Sequence, residues 1–172
     1  MSNTARRRRI NLTLSGVLTA LAMLVLFSQL GIAVFEYARH ALAALTFPFP
    51  LEYGEGAILD QVLRLARFEN IYRPHPTGPP FTITQDPPLF QLAQAPLALV
   101  FGPAFWYGRG ISLVSTLLAA LFLGLTLHAI TADRVAAAAG GLTLLAFPPI
   151  LQWSAFDRAD SLALAQIGRA HV

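Results

Sequence analysis

Leu89-Phe-Gln-Leu-Ala-Gln-Ala-Pro-Leu-Ala-Leu-Val-Phe-Gly-Pro-Ala-Phe-Trp106 is apolar enough to enter a membrane but too interrupted to read as a simple crossing. Gln91, Gln94 and Pro96 break the run, and Gly102-Pro103 ends it. Its helical part is about 13 residues, short of the roughly 17 that a span requires. An interfacial or re-entrant helix is therefore expected. The choice fixes the side of every later residue, because a full crossing here would invert the rest of the chain.

The surrounding composition is that of a membrane protein. With 55% hydrophobic and 12% charged residues and a mean hydropathy of +0.57, the chain is too apolar for an ordinary soluble domain. Ile10 to Phe35 holds no charged residue and exceeds the roughly 7–15 residue core of a signal peptide, so it is expected as a retained first span. Ile111–Ile130 and Val135–Trp153 are two further apolar stretches. Only Thr131-Ala-Asp-Arg134 separates them, which predicts an antiparallel helical hairpin, with Gly140-Gly141 allowing close approach. Pro148-Pro149 is expected to kink or end the third helix. All 12 basic residues are Arg. The cluster Arg6-Arg7-Arg8-Arg9 precedes the first span as a cytoplasmic anchor under the positive-inside tendency, and the other arginines are scattered, so the high pI does not point to nucleic acid. The absence of cysteine excludes disulfides, zinc-thiolate sites and thiol nucleophiles from this sequence.

The expected fold is all-α and polytopic, with three transmembrane helices, surface helices in the first extracytoplasmic loop and the start of a fourth span. Residues 1–9 are cytoplasmic, 10–35 the first span, 36–104 the outer loop, 105–130 the second span, 131–134 a cytoplasmic link, 135–153 the third span, and 154–166 an outer loop and the start of the next helix. Ile58, Leu59, Val62, Leu63, Leu65 and Ala66 recur at helical spacing, predicting an amphipathic surface helix with an Asp60–Arg64 pair on its polar face. Pro74-His-Pro-Thr-Gly-Pro-Pro80 is an irregular connector, and His75 within it reads as a plain loop histidine. The last residues, Ile167-Gly-Arg-Ala-His-Val172, resemble a translated sequencing adaptor, with the natural sequence expected to run on from near Gln166.

Soluble-enzyme signatures such as a phosphate-binding Gly loop or Gly-x-Ser-x-Gly are missing, which leaves carboxylates and arginines at a membrane face. Glu55 sits in Tyr53-Gly-Glu-Gly56, where glycines leave its carboxylate accessible. Asp86 precedes Pro87-Pro88, and Asp160 follows Asp157-Arg158-Ala159 at the head of a new apolar run; each of the two could equally serve as a helix N-cap. A carboxylate can act as general base toward a hydroxyl, and a pair can hold a divalent cation. Arg109 and Arg158 are suited to phosphate, or to anchoring helix ends at the interface.

In order and spacing, the early acidic motif, the Pro-Pro-Leu surface helix, Tyr107-Gly-Arg109 at the head of the second span and Arg158-Ala-Asp160 after the third resemble the GT-C superfamily of polyprenyl-phosphate-dependent glycosyltransferases. The protein O-mannosyltransferases and the aminoarabinose transferases acting on lipid A are the most similar in pattern, over residues 10 to 166. The resemblance implies transfer of a sugar from a polyprenyl-phosphate carrier to a lipid, glycan or protein acceptor on the outer face of a plasma (inner) membrane, with the N-terminus cytoplasmic. It implies catalytic roles for Glu55, Asp86 and Asp160, substrate binding by Glu52, Arg109 and Arg158, and an optional divalent cation at Asp86 and Asp160. The family usually has Asp-Glu where this chain has Gly54-Glu55, so Glu55 or Glu52 fills the first acidic position. The alternative class is a polytopic transporter or flippase-like protein.

Overall fold

The computed structural model describes residues 14–72 and 83–170. The arginine cluster, the start of the first span at Ile10, the Pro74–Pro80 connector with His75, and His171 lie outside the described residues. The described residues form helices and no strand: α1 (Leu14–Thr46), α2 (Tyr53–Ala66), α3 (Leu89–Phe101), α4 (Trp106–Thr131), α5 (Arg134–Ala146), α6 (Pro148–Trp153) and α7 (Asp160–Arg169). Two of them, α1 and α4, are long and apolar enough to cross a membrane.

The expected boundary of the first span at Phe35 is absent, because α1 runs on to Thr46 for a total of 33 residues. That is about 50 Å of helix, well beyond a hydrocarbon core of about 30 Å. Glu36 and Arg39 do not stop it, since they pair at 2.7 Å along the exposed face one turn apart. Ala41-Leu-Ala-Ala-Leu45 then supplies strong helix formers. Much of the apolar surface of α1 faces outward, with Leu18, Leu21, Leu24 and Val25 exposed.

The third stretch breaks where the prolines were expected to kink or end it: Val135–Trp153 falls in two helices, α5 and α6, hinged at Phe147 (φ −69°, ψ 122°). A residue before proline is pushed to extended backbone. Pro148 and Pro149 then occupy the first turn of α6, where the missing N–H groups cost nothing. With 13 residues, α5 alone is about 20 Å long, short of a full crossing. The hairpin with α4 forms as expected: Ala132 turns the chain with φ 55° and Asp133 caps α5 through the amides of Val135 and Ala136. Of the two glycines proposed for close approach, Gly141 is the one against backbone. A Cβ there would lie 2.8 Å from the Ala120 carbonyl oxygen, and one on Gly124 would lie 3.1 Å from that of Ala137. Gly140 instead faces the Leu127 side chain.

α3 has 13 residues and ends at Gly102, whose φ of 74° suits only glycine. It packs on α2 through Val62, Ala66, Ala95 and Ala98, with Tyr107 of α4 in the same cluster. Its glutamines face inward, with Gln91 donating to Gln61 at 2.9 Å, while Leu99, Val100 and Phe101 are exposed. The start of α4 lies against the end of α1, since Arg109 reaches the carbonyls of Ala44 and Phe47. α2 and α3 therefore occupy one end of the bundle. α7 starts at that same end, beside Ser112, and runs along α4 as far as Phe122.

Candidate functional site

The site end is built on one ion pair. Glu55, in the first turn of α2, and Arg109, in the first turn of α4, are both fully buried. Arg109 Nε and Nη2 donate to Glu55 Oε1 and Oε2 at 2.9 and 2.7 Å, the two-pronged geometry that guanidinium and carboxylate favour. The remaining guanidinium protons go to the carbonyls of Ala44, Phe47 and Phe49 at 2.6–2.7 Å. These carbonyls lie at or just past the end of α1, where helical partners run out. All five N–H groups of Arg109 are thus occupied. Glu55 accepts two further bonds, from the amides of Leu51 at 2.7 Å and Asp157 at 2.9 Å. Burial pushes the Glu55 carboxyl up, but the Arg109 hydrogen bonds, the two amides and the Arg109 charge outweigh it and hold the group below its ordinary range.

The segment from Ser154 to Asp160 closes over this pair and is tied to each neighbouring helix. Ser154 Oγ meets the Tyr37 hydroxyl of α1 at 3.3 Å. Ser112 Oγ of α4 donates to the Arg158 carbonyl at 3.0 Å. Asp157 is fully buried and accepts from Gln94 Nε2 of α3 at 2.9 Å. Burial pushes the Asp157 carboxyl up to about 7; the Glu55 charge adds to this, while the Gln94 bond and Arg109 oppose it. Gly108 makes room for it, because a Cβ at that position would fall on the Asp157 carboxylate.

What this frame presents outward is a cavity of about 370 Å³ whose wall includes Glu52, Gln85, Asp86, Arg158 and Asp160. Beside it lies a groove of about 460 Å³ lined by Pro149, Ile150, Trp153 and Leu164, which shares Arg158 and Asp160 with the cavity. Arg158 Nε donates to Asp160 Oδ2 at 2.8 Å, and its guanidinium lies 5.7 Å from the Trp153 ring centre.

Of the residues singled out from sequence, Glu52, Asp86, Arg158 and Asp160 come together on the cavity wall, and Glu55 and Arg109 do not. The glycines around Glu55 do not expose it: both lie within α2, whose first turn buries the carboxylate against Arg109. The capping roles also fall elsewhere. Pro88 and Ala159 precede α3 and α7 without side-chain caps, whereas Glu52 caps α2 by accepting from the Gly54 amide at 2.8 Å. Among the described residues no three side chains of metal-binding type converge, and Asp160 is already paired with Arg158. Asp157, which the sequence showed only as a neighbour of Asp160, is the buried centre of the segment; its tie to Gly108 is a tertiary contact with no signal in the neighbouring residues. No family model, curated protein or solved structure matches the chain.

Proposed function

We propose that the chain is a membrane glycosyltransferase of the GT-C type, moving a sugar from a polyprenyl-phosphate carrier to a lipid, glycan or protein acceptor at the outer membrane face. The observation that carries this reading is a polar cavity and an apolar groove meeting at Arg158, the pairing that a lipid phosphate demands. The isoprenoid chain would lie along Pro149, Ile150, Trp153 and Leu164, with its phosphate on the Arg158 guanidinium. Of the three carboxylates on the cavity wall, Glu52 is engaged as a cap and Asp160 by Arg158. Asp86 is left as the base that takes the acceptor hydroxyl proton. The acceptor oxygen then bonds to the sugar C1 as the C1–O bond to phosphate breaks, and Arg158 takes up the charge on the departing phosphate. Glu55 and Arg109 act as positioning residues. A transporter would need ionisable groups at membrane depth, and between Ile111 and Ile130 His128 is the one ionisable residue.

The probe is a short-chain polyprenyl phosphate added to the chain in nanodiscs, followed by tryptophan fluorescence, since Trp153 lies beside Arg158. Wild type is expected to bind saturably. Arg158→Gln should weaken binding about tenfold or more, the loss of a charge-assisted hydrogen bond. Equal binding by the two proteins would remove Arg158 from the site.

We also propose three spans, the third formed by α5 and α6, with the cavity outside and the α4–α5 turn inside. The exposed apolar face of α3 and the meeting of α1 and α4 at one end support a surface position for α3. In this cysteine-free chain, Tyr53→Cys should react with an impermeant thiol reagent on intact cells and Thr131→Cys should not. Labelling of both or of neither would break the topology.

A further inference from the structure

Asp157 is the buried titratable group that this chemistry leaves unused. Its Oδ1 accepts from Gln94 Nε2 at 2.9 Å, but its Oδ2 has no partner, and neither has Gln94 Oε1. A carboxylate oxygen and an amide carbonyl only accept, so two side chains already joined by one bond each carry an orphaned acceptor in a fully buried place. Such groups are costly to leave unmade. A single proton on Oδ2 resolves both, because the acid O–H then donates to the amide carbonyl while the amide N–H donates to the acid carbonyl.

Every group facing Asp157 favours that proton or is neutral toward it, except Arg109. Glu55 of α2 is an anion, but its charge is already matched by Arg109 of α4 in a two-pronged pair. Tyr107 and Gly108 of α4 and Gln94 of α3 bring no positive charge. From α1, Tyr37 bonds Ser154 and His40 lies against Phe156. On its own segment, Arg158 is turned to Asp160. An ionised Asp157 would therefore be a second anion beside a cation already spent.

We propose that Asp157 is a positioning residue held as the neutral acid, closing a two-bond clasp with Gln94 that pins the Ser154–Asp160 segment to α3 and so sets Arg158 and Asp160 on the cavity wall. The clasp stands on the buried geometry alone. Its effect on the cavity rests on the proposed lipid-phosphate site.

The test uses the whole chain in nanodiscs, as wild type, Asp157→Asn and Asp157→Ala. Asparagine offers the donor and acceptor pattern of the neutral acid and should keep the clasp at every pH, whereas alanine should lose it. The carbonyl stretch of a protonated carboxyl should appear in the wild-type infrared spectrum at about pH 5.5, fade by about pH 8.5, and be absent from Asp157→Asn. The folded pKa is raised above the unfolded value, so the folded state holds the proton more tightly and stability from this group is lost as pH rises through about 7. Wild-type Tm should fall as pH rises from about 5.5 to about 7 and level off above it, a component that Asp157→Asn lacks. Glu55, whose carboxyl is held low, titrates on the acid side and leaves the window clear. A wild-type spectrum with no carboxyl band that Asp157→Asn removes, or a Tm profile shared by the two, overturns the proposal. Polyprenyl-phosphate binding should weaken with rising pH in wild type only; a clasp seen by infrared with no such binding at any pH would overturn the functional reading and leave the clasp standing.

Discussion

Replacing Arg109 by Met is expected to destabilise the fold by about 3–5 kcal/mol, the usual consequence of removing one partner of a buried ion pair. Two losses combine. Glu55 is left as a fully buried carboxylate with only the amides of Leu51 and Asp157 for company. The carbonyls of Ala44, Phe47 and Phe49 lose their donors where α1 meets α2 and α4. Because the pair itself was costly to bury, Glu55→Met in the same chain should recover a large part of the loss. Reversible unfolding in detergent would measure both. A single-variant loss of less than about 1 kcal/mol would mean that the pair is hydrated as a surface pair is. Glu55→Gln is expected to act in the same direction as Arg109→Met, through the frame around the cavity and not through loss of a base.

Gly108→Ala is the second large effect. The new methyl would occupy the place of the Asp157 carboxylate, and neither group has a free direction to move, since one is on a helix backbone and the other is buried. Overpacking of this kind costs about 1–3 kcal/mol, and here it should also pull Asp157 from Gln94. The control lies two residues on in the same helix. At Gly110 the nearest atom to an added Cβ is Leu45 Cδ2 at 3.8 Å, so Gly110→Ala should be neutral, or stabilising by up to about 1 kcal/mol through helix propensity. Combining Gly108→Ala with Asp157→Ala should relieve part of the clash. Equal stability of the two glycine variants would show that the segment closes differently over α4.

Tyr107-Gly108-Arg109 shows how far the sequence reaches. The triplet marked the head of the second apolar stretch, and α4 does begin there. What each residue does was invisible. The Tyr107 ring joins the core between α2 and α3, and its hydroxyl meets the Gly102–Ala104 turn; Gly108 yields space to Asp157; Arg109 is buried with all its protons spent. An arginine at a helix end more often reaches for the interface, and only the nearby end of α1 turned this one inward.

Local properties were legible because they are written in neighbouring residues. The 13-residue α3, the amphipathic α2 with its Asp60–Arg64 pair, the α4–α5 turn and the break at Pro148-Pro149 follow from periodicity, proline and glycine chemistry and short-range charge. The sequence by itself pointed to an all-helical chain with three spans, where two helices among the described residues are long and apolar enough to cross a membrane, and it named Glu52, Glu55, Asp86, Arg109, Arg158 and Asp160 as polar groups to watch. Which carboxylates face a cavity and which are buried was decided by tertiary structure alone. Glu55 and Asp157 are 102 positions apart and share a hydrogen bond, and a carboxylate's chemistry depends on the donors and the dielectric that distant helices bring to it.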